Sequence, residues 1–364
     1  MRILIDIGHP AHVHLYRNLI AEMKGKGHSV FVSVKKNVSS AINLLNLYKI
    51  PFVQIGNKSD SISGKAFSQI QFDLQIYKFV RKNKIAIGLG TSITNAHVSR
   101  ITKMKSIIFD DDDDEVQPLF VKYAHPFCNS LLSPDVLTGK RKLKKTIYYP
   151  GYHELAYLHP LRFKPDPTVL DEIGLKNGKR YFIMRFNVFK AHHDKGVKVL
   201  SLDQKLELVS ILKPLGRILI TTERDIEPEL SEYQMKISPE KAHSLLAWST
   251  MLIGDSQTMT SEAAVLGVPS LRCNSFAGRI SYLEEEETKY GLTYAFIPEE
   301  FDKLKSKLAQ LLEMGNLREE WQRRRQIMLK DKIDVTGFMV WFVENYPESI
   351  KEIKNSPDFL VQFK

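Results

Sequence analysis

The chain has 364 residues, 43% hydrophobic and 26% charged, a composition typical of a globular protein of about two domains. No run approaches the roughly 18 apolar residues of a membrane-spanning helix, and the start MRILIDIGHP predicts a strand rather than a secretory signal. The two cysteines, Cys128 and Cys273, form no Cys-x-x-Cys pair, which argues against a zinc site and for a reduced, cytoplasmic protein.

The net charge is +10, and basic residues cluster in two short runs, at 140–145 (KRKLKK) and at 323–325. One interpretation is a solvated basic surface. The other is a weak association with an anionic membrane, which would place a cytoplasmic protein peripherally at the inner membrane face. Nucleic acid is not expected as a partner, because no aromatic–basic RNA-binding module is present.

Strand-like and helix-like segments alternate through the first half of the chain. The predicted strands are 3–7, 29–34, 51–55, 85–89 and 106–109, and the predicted helices are 10–24, 69–81 and 92–103. Such alternation predicts a parallel sheet that is covered by helices on both faces. Segment 133–180 interrupts the rhythm with Pro, Gly and Lys, and we interpret it as a connection between domains.

The alternation resumes in the second half. The predicted strands are 181–185, 217–221, 251–253 and 269–273, and the predicted helices are 201–212, 239–247, 256–266 and 301–313. The sequence thus predicts an α/β protein of two doubly wound, Rossmann-type parallel-sheet domains facing a central cleft. We place the first domain at 1–160, the second at 161–330, and at 331–364 an apolar C-terminal helix that packs back toward the first domain.

The stretch 252–272, LIGDSQTMTSEAAVLGVPSLR, carries the clearest chemical signal. A strand ends at a Gly-Asp-Ser turn and a helix begins at once, with Asp255 or Ser256 as its cap. The unpaired N–H groups of such a helix start suit a phosphate, and Glu262 would accept hydrogen bonds from ribose hydroxyls. The candidates for binding a nucleotide here are Gly254, Asp255, Ser256, Thr258 and Glu262.

Two further loops follow predicted strands of the second domain. The loop 184–196 (MRFNVFKAHHDKG) offers a cation for phosphate, an amide and two imidazoles that titrate near neutral pH. Its candidates are Arg185, Asn187 and His192 for binding and His193 for catalysis. Thr222 and Glu223 follow the strand at 217–221 and are binding candidates as well.

In the first domain, polar residues also follow the predicted strands, where open α/β sheets bind their ligands. Gly8 would bind the ligand and His9 or His12 would act as a base after the first strand, and Thr91 would bind after the strand at 85–89. After the strand at 106–109 come six acidic residues in a row. We expect Asp110 and Asp111 to be catalytic, since crowded carboxylates raise one another's pKa, and Asp112–Asp114 to form a solvated loop. The same turn is an alternative Mg²⁺ site.

The 252–272 stretch resembles the nucleotide-binding element of GT-B glycosyltransferases and UDP-N-acetylglucosamine 2-epimerases. In those proteins a Gly-Asp-Ser-Gly-Gly turn holds the diphosphate and a later Glu binds ribose, although Gln257 and Thr258 stand here where glycines are usual. The 184–196 loop is similar in position to a conserved loop of the 2-epimerases, and Thr91 and the acidic turn fall near their turn Asp and catalytic Glu. The GHPAHVH start and the AHHD segment resemble a prokaryotic family of predicted glycosyltransferases within this superfamily.

The resemblance implies a GT-B-type glycosyltransferase that takes a nucleotide-diphospho-sugar, with a UDP-sugar favoured, to an acceptor that is lipid-linked or part of a surface polysaccharide. Many GT-B enzymes need no metal, so no cofactor is required. Two alternatives stay open: a UDP-GlcNAc 2-epimerase-like enzyme, and a non-catalytic protein that binds sugar nucleotides. The oligomeric state does not follow from the sequence.

Overall fold

Parallel β-sheets form the centre of each of the two units into which the chain divides. The computed structural model describes residues 1–56, 62–175, 179–186, 198–222 and 226–364. The first unit comprises Met1–Arg162 together with Lys332–Lys364, and the second comprises Phe163–Asp331.

The sheet of the first unit has seven strands in the order β3-β2-β1-β4-β5-β6-β7, and every neighbouring pair is parallel. Their bounds are β1 (Arg2–Ile7), β2 (Ser29–Lys35), β3 (Val53–Ile55), β4 (Ile87–Leu89), β5 (Lys105–Phe109), β6 (Ser130–Pro134) and β7 (Ile147–Tyr149). The helices between them are α1 (Pro10–Gly25), α2 (Ser39–Leu47), α3 (Ile62–Asn83), α4 (Ile93–Ile101), α5 (Pro118–Tyr123) and α6 (Leu155–Leu158). The direction of winding reverses between β1 and β4, the position at which doubly wound sheets bind ligands.

The sheet of the second unit has five parallel strands in the order β12-β11-β10-β8-β9. Their bounds are β8 (Tyr181–Phe186), β9 (Arg217–Thr222), β10 (Met251–Gly254), β11 (Ser270–Cys273) and β12 (Thr293–Phe296). Its helices are α7 (Val169–Glu172), α8 (Leu202–Leu212), α9 (Ala242–Trp248), α10 (Gln257–Leu266), α11 (Ser281–Thr288), α12 (Phe301–Leu312) and α13 (Leu317–Asp331). Here the winding reverses between β8 and β10.

Two last helices, α14 (Val335–Glu344) and α15 (Glu348–Asn355), belong to the first unit. Phe338 of α14 is fully buried against the rings of Phe109 and Tyr149. The hydroxyl of Thr336 donates to the carbonyl oxygen of Ala156 at 2.6 Å. The apolar run in this helix is therefore core of the first unit.

The predicted fold class, α/β with two doubly wound parallel sheets, is confirmed. The interpretation of 133–180 as a plain connection is wrong, because the segment contains the end of β6, all of β7 and the short helices α6 and α7. The helix predicted from 239 starts only at Ala242, after a 3-10 turn at Pro239–Lys241. Among the described residues, no helix has the length and apolar character needed to cross a membrane.

Candidate functional site

In the first unit, the loops after β1, β4, β5 and β7 gather at one edge of the sheet, because parallel strands place their carboxyl ends together. A buried carboxylate of β1 joins β2 and the turn after β4. Asp6 is 6% exposed, and its two oxygens accept hydrogen bonds from the hydroxyls of Ser33 at 2.8 Å and Ser92 at 2.5 Å. Gly90 has φ +128°, and a Cβ there would overlap the backbone of Asp6. The turn that carries Thr91 is thus held against β1, and the Thr91 hydroxyl donates to the Phe109 carbonyl at 3.1 Å.

The histidines after β1 are ordered by the start of α1. His9 is exposed and caps the helix, its Nδ1 accepting from the N–H of Ala11 at 3.2 Å. Nδ1 of His12 accepts from the N–H of Gly8 at 3.3 Å. Desolvation lowers the pKa of His12 to about 3, and the electrostatic influence of His9 and His153 acts in the same direction. A ring with this pKa is a weak base at neutral pH, which disfavours His12 among the predicted bases.

Asp110, predicted to be catalytic, is enclosed by the protein. Its side chain is 1% exposed. Gln117 donates to Oδ1 at 2.5 Å, while Nε2 of His125 and Nη1 of Arg141 lie 2.9 and 3.2 Å from Oδ2. With both oxygens engaged in the interior, this carboxylate holds the turn in place, and its catalytic role stays a prediction.

The cation that compensates the acidic turn comes from the basic run KRKLKK. Arg141 is 7% exposed, its Nη1 lies 2.8 Å from Oδ1 of Asp114, and its Nε donates to Ser133. Asp114 is itself 5% exposed. The predictions of a solvated Asp114 and of a wholly solvated basic run are therefore wrong. Burial, followed by repulsion from Asp111 and Asp110, raises the pKa of Asp112 well above its usual value.

Carboxylate oxygens of Asp110, Asp111 and Asp112 lie within 4.8 Å of one another. Because Arg141 and Gln117 already satisfy part of this cluster, crowding alone does not identify a cation site, and the Mg²⁺ alternative stays a prediction.

Asp111 has a different partner, which the sequence analysis missed. Its Oδ2 lies 3.0 Å from Nδ1 of His153, and the two side chains are 19% and 13% exposed. Nε2 of His153 is buried and has no hydrogen-bond partner among the described residues. His153 lies four residues after β7, within the segment interpreted as a connection. The signal that would have found it is the same placement after a parallel strand that identified Asp111.

Two phenols complete the surroundings of Asp111. Tyr16 and Tyr149 are fully buried, and neither hydroxyl has a partner in the described part of the chain. Burial raises the pKa of both phenols, and the charge of Asp111 raises it further. Both therefore remain protonated and can act as hydrogen-bond donors.

In the second unit, the Gly-Asp-Ser turn lies where β10 pairs with β8. Gly254 is in register with Arg185, and a Cβ at Gly254 would overlap the Arg185 carbonyl, so only glycine fits. The N–H of Asp255 donates to that carbonyl at 3.0 Å. The hydroxyl of Ser256 then accepts from the N–H of Met259 at 3.3 Å, which confirms Ser256 as the cap of α10.

The other candidates of the second unit lie around this helix start. Thr258 is half-buried on the first turn of α10. Glu262 is 5% exposed, and its Oε1 lies 2.9 Å from Nε2 of His243 in α9, a partner that the sequence spacing did not reveal. Arg185 donates to the hydroxyl of Thr221 at 3.0 Å.

Thr222 ends β9 and is half-buried. The remaining candidates, Asn187, His192, His193 and Glu223, lie outside the described residues.

A family model described as "Protein of unknown function (DUF354)" matches residues 1–286. The chain belongs to this family. A relative from Methanocaldococcus jannaschii, an uncharacterized protein, is 22% identical over 301 residues, which cover 78% of this chain and 85% of the relative.

Solved structures with the same fold include enzymes of two kinds. The UDP-GlcNAc 2-epimerase of Neisseria meningitidis, bound to UDP-GlcNAc, superposes with a TM-score of 0.68 at 12% identity, covering 97% of this chain and 100% of the other. The epimerase of Methanocaldococcus jannaschii gives 0.62 at 14% identity over 90% and 99%. The glycosyltransferase SsfS6 of Streptomyces sp. SF2575 gives 0.62 at 11% identity over 95% and 100%. These likenesses establish the GT-B-type fold, which hosts more than one reaction.

Proposed function

We propose that the protein binds a nucleotide-diphospho-sugar, with a UDP-sugar favoured, and transfers the sugar to an acceptor hydroxyl. The observation that carries this proposal is the start of α10. Ser256 caps a helix that begins directly after β10, beside the point where the strand order of the sheet reverses. Unpaired N–H groups and the positive end of the helix dipole suit a phosphate at such a position.

The roles in binding the nucleotide-sugar follow from the positions of the candidate residues. Ser256, Thr258 and the amides of the first turn of α10 would hold phosphate. Arg185 would offset the negative charge that develops on the leaving diphosphate, which is where electrostatic catalysis acts in such a transfer. Glu262 would accept hydrogen bonds from ribose. His243 supports this role, because its contact with Oε1 keeps the carboxylate in one orientation.

A thermal-shift screen against UDP, GDP, CMP, TDP and their sugars tests the proposal. A ligand that binds only the folded protein raises the melting temperature. We expect a shift with one nucleotide that is lost in Glu262→Ala and retained in Glu319→Ala, which removes an exposed carboxylate of α13. No shift with any nucleotide would overturn the proposal.

The second candidate is a nucleotide-sugar 2-epimerase, a reaction that needs several carboxylates around the sugar. The close approach of Asp110, Asp111 and Asp112 favours it, whereas the enclosure of Asp110 counts against it. Proton NMR of UDP-GlcNAc incubated with the protein separates the two. Appearance of the 2-epimer favours the epimerase, release of UDP favours the transferase, and binding without turnover identifies a non-catalytic protein.

A further inference from the structure

Three solvent-exposed apolar side chains lie together at and after α5 of the first unit. Leu119 is 69% exposed, and Tyr123 and Phe127 are exposed as well. Positions 119 and 123 are about one helical turn apart, so their side chains share one face of α5. Single exposed apolar residues are common on soluble proteins, whereas a contiguous group marks a surface that binds something else.

His97 of α4 connects this group to α3. Its ring lies 5.1 Å from the ring of Phe127, and its Nδ1 lies 2.8 Å from Asp73 of α3. Ile70 and Leu74 share the face of α3 that carries Asp73, and both are more than half exposed. The exposed apolar surface therefore continues from α5 past α4 to α3. We call Ile70, Leu74, Leu119, Tyr123 and Phe127 the apolar row.

Two cations lie within or beside the apolar row. Lys122 is exposed on the same face of α5, and its Nζ lies 5.3 Å from the centre of the Tyr123 ring. Arg100 of α4 is exposed too, and its Nε donates to the carbonyl oxygen of Phe127 at 2.7 Å. Both cations are thus held directly against the apolar row.

The basic run KRKLKK lies beside the same helix. Its Leu143 packs against a buried cluster that includes Ala124 and Cys128. Burial raises the pKa of Cys128 to about 11, and the charges of Lys145 and Arg100 act in the opposite direction, so both cations lie near this thiol. The exposed lysines of the run therefore extend the positive charge next to α5.

Acidic side chains are scarce around the apolar row. The sequences of α3, α4 and α5 contain a single acidic residue, Asp73, and it is paired with His97. The segments 124–134 and 138–149 contain none. Within the described residues, Lys122 and Lys145 form no ion pair. The positive charge around the apolar row is therefore not neutralised by neighbouring acids.

A protein partner and a lipid bilayer place different demands on such a surface. The cores of protein–protein interfaces are depleted in lysine. Surfaces that bind in the plane of a membrane combine leucine and aromatic side chains with lysine and arginine, and tyrosine is enriched at the level of the head groups. Lys122 lies on the same helix face as Leu119 and Tyr123, in the middle of the exposed apolar surface, and this favours lipid.

We propose that the apolar row binds the surface of an anionic lipid bilayer. Its leucine and aromatic side chains enter the head-group region, where their apolar area leaves water. Lys122, Arg100 and Lys145 contact the lipid phosphates, since long basic side chains keep their charge at the polar surface while their stems lie along apolar groups. This binding involves no nucleotide, so it does not depend on the proposed function.

The first test is sedimentation of the protein with sucrose-loaded vesicles of phosphatidylcholine and phosphatidylglycerol in a ratio of about 3:1. Binding at about 50 mM NaCl should be at least about tenfold stronger than at about 500 mM NaCl, and at least about tenfold stronger than to phosphatidylcholine alone. Equal binding under all these conditions, or no binding to the mixed vesicles, would overturn the inference.

Paired variants locate the binding surface. Lys122→Glu combined with Lys145→Glu should weaken binding at least about 25-fold, because each cation at an anionic surface contributes about fivefold in affinity. The control combines Lys179→Glu with Lys236→Glu, two exposed lysines of the second unit, and should change binding less than about threefold. An equal loss in both double variants would show that net charge alone attracts the protein, and the assignment of the surface would be wrong.

The apolar contribution has a control of nearly equal exposure. Leu119→Ser should weaken binding about tenfold, whereas Leu161→Ser, at a leucine that is 71% exposed compared with 69% for Leu119, should not. All four variants change exposed side chains, so their melting temperatures should stay close to that of the wild type.

The second test is hydrogen exchange of the wild-type protein with and without the mixed vesicles. Peptides that cover α5 and 124–128 should exchange more slowly with vesicles present, and peptides that cover α11 should not change. Protection of other segments instead would overturn the inference. Self-association that Leu119→Ser abolishes, without vesicle binding, would assign the apolar row to contact with a second copy of the chain and would overturn it as well.

Discussion

Replacing Arg141 tests the view that this residue supports the acidic turn from inside the first unit. Arg141→Met keeps most of the side-chain volume and removes the cation that lies 2.8 Å from Asp114 and 3.2 Å from Asp110. Both carboxylates are at most 5% exposed, so neither can replace the lost partner with bulk water. Breaking a buried ion pair on one side costs about 3–5 kcal/mol, or more than about a hundredfold in the unfolding equilibrium.

The matched control is Lys144→Met, which removes an equal charge from an exposed position of the same basic run. Urea unfolding gives the free energy of each variant, and hydrogen exchange followed by mass spectrometry locates the loss. Peptides from β5 and β6 should exchange faster in Arg141→Met, and peptides from β10 should not. A difference between the two variants of less than about 1 kcal/mol would refute the assignment, since surface charges contribute that little.

Three further predictions concern titration and reactivity. The folded-state pKa of His12 is about 3 and the unfolded value is 6.5, so between these values the unfolded state binds one proton more than the folded state. The free energy of unfolding should therefore decrease as the pH is lowered through that window, by at most about 1.4 kcal/mol per pH unit. The decrease should be less steep in His12→Gln, as urea midpoints at pH 4 and 7 would show. His97 has the opposite sign, because its hydrogen bond to Asp73 raises its pKa. Its stabilisation is present below the unfolded pKa and is lost as the pH rises through the folded pKa, so His97→Gln should cost up to about 1 kcal/mol at pH 5 and little at pH 9. An equal cost at both pH values would contradict this. Burial raises the pKa of Cys128 to about 11 and of Cys273 to about 12, so iodoacetamide at pH 8 should label neither thiol until urea is added, which intact-mass spectrometry would report.

The alternating elements were predictable because their apolar runs are long and their breaks are sharp. The elements that escaped prediction are short or carry misleading composition. β7 is three residues long, β6 ends in proline, and α11 (SYLEEEET) places consecutive glutamates in a helix, where Glu286 is fully buried. Burial of such residues depends on tertiary contacts, which no local pattern encodes.

Candidate site residues were predictable where they directly follow the end of a strand. They were not predictable where their role depends on contact with a side chain distant in the sequence. Ser256 and the turn before it follow directly from the order strand, turn, helix. The partners Arg141, His153 and His243 each contact a residue 19 or more positions away in the chain, so their roles became visible only in three dimensions. In each case the missed contact joins a basic group to a carboxylate already identified.

The interrupted path of the chain through the first unit has a consequence for biosynthesis. Residues 163–331, which make up the second unit, are translated before α14, while the buried Phe338 and Thr336 that pack into the first unit are translated only afterwards. A ribosome therefore delivers everything the second unit needs while the nascent first unit still presents the apolar surface of Phe109 and Tyr149. The synthesis of the first unit thus starts first, but its core is completed last. The first unit is therefore the one that would occupy a chaperone during translation.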